Sequence, residues 1–178
     1  MEMVDYSTVS PHLWLLPSGG RQARLACYAR LVRALGIDYG RKRIGLALSD
    51  PTGLLARAWK TIAAAGLERQ VAELAQEIEA LRSDPDGLSV IVVGLPRRLS
   101  GEPNEQTALV QTVAARLAAL TSLPIALQDE RLSSHEAEEL LARTEKDWRK
   151  RKPLLDAAAA AVILQDYLDT QPRHGAEP

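Results

Sequence analysis

The chain's 178 residues, 46% of them apolar and 25% charged, suffice for one domain with a full core. Its 22 basic residues against 23 acidic ones leave a formal net charge of −1, which excludes a uniformly basic nucleic-acid binder, so any contact with phosphates must come from local patches. A lone cysteine, Cys27, excludes an internal disulfide, and His12, His135 and His174 are too dispersed for a zinc site.

Residues 1–33 read as an N-terminal extension. Pro11, Pro17, Gly19 and Gly20 are followed by Arg21, Arg24, Arg30 and Arg33 without an intervening acid. A flexible leader or an upstream start accounts for this stretch, with a nucleic-acid arm or an added helix as the alternatives. Glu2 and Asp5 stand where a signal peptide carries positive charge, and Leu13 to Leu16 is too short a run for an export signal or a membrane span. The expectation is a cytoplasmic protein with no membrane association.

From Ala34 the pattern becomes regular, and residues 34–170 are expected to form the folded domain, leaving 171–178 as a tail. Leu35 to Ile37, Ile44 to Leu48 and Ala58 to Ile62 read as three strands of an antiparallel meander. Asp38 interrupts this apolar stretch just before a turn holding Gly40, Arg41, Lys42 and Arg43. An ionised carboxylate in a central strand costs several kcal/mol to desolvate, so a metal, a cation or dense hydrogen bonding must offset it; a metal ligand is the leading reading. Val71, Leu74, Ala75, Ile78 and Leu81 then fall at helical spacing, and Ser83-Asp84-Pro85-Asp86-Gly87 ends that helix.

Leu88 to Gly94 is short and almost continuously apolar, as expected of a parallel strand covered on both faces. A polar loop with Arg97, Arg98, Gly101 and Pro103 leads to a helix lined by Val110, Val113, Ala114, Leu117 and Leu120. Pro124 to Leu127 is the fifth strand. It ends at Gln128-Asp129-Glu130-Arg131, and Ser133-x-x-Glu136 reads as the capping box of another helix, with Ala137, Leu140 and Leu141 as its apolar face. Between Arg143 and Lys152 lie six cations and two acids; Pro153 then opens the last helix, with Asp156 in its first turn.

The order βββαβαβα is that of the ribonuclease H-like fold: an α/β domain whose five-stranded mixed sheet, three antiparallel strands then two parallel, is flanked by helices. GIDYGRKRIGLALSD, IVVGLP, QDERLSSHEA and KPLLDAAAAAVIL, in that order, resemble the YqgF family, also called RuvX, over Leu35 to about Leu168. That family comprises Holliday-junction resolvases and is implicated in processing the precursor of small-subunit (16S) ribosomal RNA.

The resemblance implies a metal-dependent nuclease with Asp38, Glu130 and Asp156 as catalytic metal ligands. Nucleases of this fold hold two divalent cations about 4 Å apart, one activating water and the other stabilising the leaving oxygen. Oxygen donors suit Mg2+ or Mn2+, with two ions expected. Gly94, lacking a side chain, is expected to leave room for Glu130 to reach toward Asp38. Strand alternation sends Asp129 and Glu130 to opposite faces, with Glu130 favoured as the ligand and Asp129 or a structural ion pair as the alternatives. Asp156 has an alternative reading as an acid favoured by the helix dipole.

Three basic patches are expected to bind nucleic acid: Arg41, Lys42 and Arg43; Arg97 and Arg98; and the Arg143 to Lys152 loop, with Lys146, Arg149, Lys150, Arg151 and Lys152; Arg131 is a further expected contact. Tyr39, Trp59 and Trp148 are candidates for base stacking, although with 4% aromatic residues packing is the default. His135 reads as solvent-facing.

The expected activity is hydrolysis of phosphodiester bonds in structured nucleic acid, foremost at the 5′ end of precursor 16S rRNA. The expected partners are an RNA precursor or branched or single-stranded DNA, with a homodimer implied by the junction-resolving alternative. Two readings of other kinds compete. G-I-D-x-G before a hairpin also resembles the phosphate loop of actin-like kinases, but no second such loop follows Gly40. A non-catalytic RNA-associated module is the other, and the three carboxylates speak against it.

Overall fold

The computed structural model describes residues 14–15, 33–63, 65–97, 102–129 and 148–171; side chains are described for these residues except 14–15 and 148–154. Six strands and three helices appear among them: β1 (Trp14–Leu15), β2 (Arg33–Tyr39), β3 (Arg43–Ser49), β4 (Ala56–Ala63), α1 (Leu67–Ser83), β5 (Leu88–Leu95), α2 (Glu105–Thr121), β6 (Ile125–Asp129) and α3 (Trp148–Thr170). The sheet order is β1-β6-β5-β2-β3-β4. β2, β3 and β4 form the expected antiparallel meander, while β2–β5 and β5–β6 are parallel.

The five strands of the ribonuclease H-like arrangement are therefore present in their expected order. A sixth comes from the stretch read as an extension, where Trp14 and Leu15 pair antiparallel with Ala126 and Ile125. That pairing covers the edge of β6, which would otherwise expose a row of unsatisfied backbone groups. β2 also begins at Arg33, two residues earlier than expected, and the Arg33 guanidinium lies 2.7 Å from Asp84 across the turn that precedes β5.

Alternation along the strands divides the interior into two cores. Leu35, Ile37, Ile44, Leu46, Ile91 and Val93 face α1 and α2, meeting Val71, Leu74 and Ile78 from the first and Val110, Val113 and Leu117 from the second. Ala34, Ala47, Val90, Val92 and Ala126 face the other way, against Ala160, Ala161, Ile163, Leu164 and Tyr167 of α3. β5 buries both of its faces, as its continuous apolar run foretold. Each fully buried aliphatic side chain contributes roughly 1.5–3 kcal/mol, so both layers are needed to hold the sheet.

The helices start and stop for local reasons. Asn104 caps α2 by accepting from the backbone N–H of Gln106 and Thr107, and Thr107 Oγ1 accepts from the Asn104 N–H at 2.8 Å. Gly87, at φ 61, makes the turn into β5 in a conformation that favours glycine.

α3 departs from expectation at its start. It begins at Trp148 instead of Pro153, so Asp156 lies in the helix interior and not in its first turn. Arg149 to Lys152 are good helix formers, and Pro153 removes one hydrogen bond without ending the helix on its N-terminal side. The helix-dipole explanation of Asp156 falls with this, because that field acts within the first turn. The helix expected after Ser133, with His135, Ala137, Leu140 and Leu141, lies outside the described residues.

Candidate active site

Asp38 sits near the C-terminal end of β2, on the face that α3 covers, and is paired in register with Gly45 of β3. Gly45 lets α3 come close at this point. A Cβ placed there would lie 1.9 Å from the Asp156 carbonyl oxygen and 2.9 Å from the Ala157 nitrogen, so any side chain would force the helix away. Gly36 repeats the device two residues before Asp38, where a Cβ would lie 2.8 Å from the Ala160 carbonyl oxygen. A strand glycine at a close backbone approach is a recognised signal. Neither Gly36 nor Gly45 stood out in the sequence, although both interrupt strand patterns.

The helix backbone packed at Gly45 brings Asp156 beside Asp38, from opposite ends of the domain. Burial, and then the negative charge of Asp156, push the Asp38 carboxyl up from 3.8 to about 6. Two carboxylates held this close repel, and a group tuned to the neutral range is a mark of functional sites. Among the described residues one cation answers the repulsion: the Arg43 Nε–H donates to Asp156 Oδ2. Arg43 stands at the start of β3, two residues before Gly45, so the same hairpin that approaches α3 also carries the partner of its carboxylate.

β5 and β6 extend this face. Ile37 pairs with Val93, so Asp38 and Gly94 follow at neighbouring strand ends, and Gly94 pairs in turn with Gln128. Gln128 shares strand parity with Ala126, a member of the α3-side core, and therefore the sheet face of Asp38. Asp129 pairs with Leu95 of the opposite core and stands on the other face. Glu130, the third expected ligand, lies outside the described residues, one position beyond the end of β6. Among the described residues no group of three His, Cys, Asp or Glu side chains is close enough to share an ion. Asp38 and Asp156 are the two that meet.

The basic residues divide similarly. Arg41 and Lys42 are exposed at the β2–β3 turn, with Arg41 lying 3.3 Å from Glu105 at the start of α2. Arg97 is exposed just after β5, and its backbone bridges to Pro103. Arg149, Lys150, Arg151 and Lys152 lie in the first turns of α3, ahead of Asp156, with side chains outside the described set; Arg98, Arg131 and Lys146 lie outside it altogether.

Of the aromatic candidates, Tyr39 is a core residue whose hydroxyl donates to Gln70 Oε1, and burial pushes its phenol up. Its carbonyl accepts from Gln106 Nε2 at 2.9 Å, which ties the end of β2 to α2. Trp59 is 38% exposed on the outer strand β4, with the Lys60 ammonium 4.3 Å from its ring centroid.

The family profile and the curated relatives agree on one family. Residues 32–170 match the family profile described as RuvX, Holliday junction resolvase. A relative from Synechocystis sp., named "Putative pre-16S rRNA nuclease", is 40% identical over 82% of this chain and 93% of its own length. One of the same name from Picosynechococcus sp. is 44% identical over 79% of this chain and 94% of its own. Among solved structures, RuvC of T. thermophilus in complex with a Holliday junction substrate superposes with a TM-score of 0.52, covering 78% of this chain and 97% of that one at 16% identity; the fold is shared. With a profile match that spans β2 to β6 and all three helices, and relatives at this level of identity, the chain belongs to the RuvX family.

Proposed function

We propose that this protein is a divalent-metal-dependent nuclease that hydrolyses phosphodiester bonds in structured nucleic acid, and that its main substrate is the 5′ region of precursor 16S rRNA. The observation that carries the reading is the meeting of Asp38 and Asp156, far apart in the sequence, beneath a turn bearing exposed cations. Family membership and the names of the relatives support the nuclease activity and the RNA substrate.

The donor chemistry fits a hard divalent cation. Two carboxylates in mutual repulsion, one of them partly buried and without an ion-pair partner among the described residues, gain most from a dication bound by oxygen. Asp38 and Asp156 would hold it, with Glu130 the third ligand by its place in the family motif. When bound, such ions, two in this reading, activate water and stabilise the leaving oxygen.

The chain's own residues do the remainder. Gly45 and Gly36 set the helix against the sheet so that the carboxylates stay together. Arg41, Lys42 and Arg97, beside the strand ends, draw a phosphate backbone to the acids despite the near-neutral total charge. Asp38 is deprotonated above about pH 6 and ready to bind a cation at neutral pH.

A second reading, cleavage of four-way DNA junctions, is favoured by the description of the family itself. It calls for a symmetric homodimer making paired cuts. One experiment separates the two: labelled precursor RNA, single strands and four-way junctions are offered to the wild type and to Asp38→Asn with magnesium, manganese or a chelator. Cleavage of the precursor that needs a metal and is lost in the variant supports the first reading. Preference for the junction favours the second, and equal cleavage by the variant overturns both.

A further inference from the structure

The three cations of the β2–β3 turn are not equivalent. Arg41 reaches Glu105 of α2, Lys42 is exposed, and Arg43 alone turns inward to Asp156. The two carboxylates are unequal as well. Asp156 has a guanidinium, whereas Asp38 has no ion-pair partner among the described residues. Such asymmetry is unexpected if Arg43 served only to relieve repulsion, since a cation between the two acids would do that better.

We propose that Arg43 is a positioning residue that acts as a built-in cation: it neutralises Asp156 while no divalent ion is bound, and it competes with that ion for the carboxylate. The inference rests on the metal-dependent reading of the site. An arginine stays charged at every relevant pH, so it cannot yield the carboxylate by losing a proton and must move instead. The geometry permits that movement, because the Arg43 side chain is 40% exposed and sits at the mouth of a turn, while the Asp156 side chain is 26% exposed and fixed on a packed helix. Once displaced, Arg43 lies beside Arg41 and Lys42, where a nucleic-acid phosphate replaces the carboxylate as its partner. Metal and nucleic acid then favour one another's binding, since each takes one half of the Arg43–Asp156 pair.

The sign of one effect separates this from a purely structural role. If Arg43 only held Asp156 in place, removing it would weaken metal binding. If Arg43 competes, removing its charge strengthens binding by the worth of a partly exposed ion pair, about fivefold.

The experiment is a calorimetric titration of magnesium, at fixed ionic strength and without nucleic acid, into the wild type, Arg43→Gln and Arg43→Lys. Glutamine keeps the hydrogen bond without the charge, and lysine keeps the charge. Magnesium binding about fivefold tighter in Arg43→Gln, with Arg43→Lys close to the wild type, is the expected result. Equal or weaker binding in Arg43→Gln overturns the proposal while leaving the metal-dependent nuclease standing. No magnesium binding by any of the three removes both.

A second measurement needs no folded variant of low charge. In a nitrogen-15 spectrum of the wild type, the Arg43 Nε–H signal, assigned by its loss in Arg43→Lys, moves toward that of a free arginine as magnesium saturates the site. A signal that stays unchanged while magnesium binds overturns the proposal as surely.

Discussion

Asp38 is the residue on which stability and chemistry pull in opposite directions. Its carboxyl titrates near pH 6 in the folded chain and near 3.8 in the unfolded one, so between these values the folded state holds the extra proton. Stability of the metal-free protein is therefore expected to fall as pH rises from about 4 to about 6 and to level off above that, by about 3 kcal/mol from this group. Asp38→Asn removes the penalty. The variant should melt at a higher temperature than the metal-free wild type at pH 8, with the difference vanishing near pH 4, and should lose cleavage altogether. A thermal melt at the two pH values checks the first outcome and a cleavage assay the second. If the variant is no more stable than the wild type at pH 8, the burial and repulsion assigned to Asp38 are wrong. The sequence made Asp38 conspicuous because a lone carboxylate in an apolar strand has few bland explanations. Arg43 gave no such signal, because in sequence it is one of three adjacent cations and its partner is 113 positions away.

At the scale of the element, α3 decides whether the site exists. The helix carries Asp156, and its distance from the sheet is set by two glycines on neighbouring strands. Gly45→Ala would drive a Cβ into the helix backbone at Asp156, where no flexible side chain can give way. The expected cost is roughly 1–3 kcal/mol of stability, as for overpacked cores. A helix displaced from Asp38 also relieves the repulsion, so the Asp38 titration should move down from about 6, an effect readable by carboxyl NMR. Loss of stability without that movement would show that Gly45 packs the helix but does not set the carboxylate pair. α2 offers a contrasting test: Asn104→Ala removes a cap on the sheet face opposite Asp156 and should cost about 1 kcal/mol in denaturant unfolding without moving the Asp38 titration. The periodicity that made α1 and α2 legible is local, as are their caps. The start of α3 was misjudged for the same reason, since Pro153 is a strong local signal for a first turn that the upstream helix formers overrode.

For the molecule as a whole, near-neutral charge and nucleic-acid binding are reconciled by placement. The cations described near the strand ends lie on the turn after β2 and just after β5, the two strands that end beside the carboxylates. If about four phosphates are neutralised there, affinity for a single strand should drop on the order of 50-fold between about 50 and 200 mM salt. Binding measured across that range with a chelator present checks this, and indifference to salt would exclude these patches. The edges of the sheet belong to the same scale. Trp14–Leu15 closes the β6 side, a contact invisible in a two-residue apolar run because pairing depends on which edge is free. By itself the sequence determined the order and type of the five main strands and the helices that cover them, and it singled out Asp38 and Asp156 as candidates, because hydrophobic period, turn residues and a misplaced charge are all written between near neighbours. Only the tertiary structure decided that Gly45 admits the α3 backbone, that Asp156 therefore abuts Asp38, and that Arg43 answers it. Those facts depend on register and close approach between segments far apart in the chain, which no local pattern encodes.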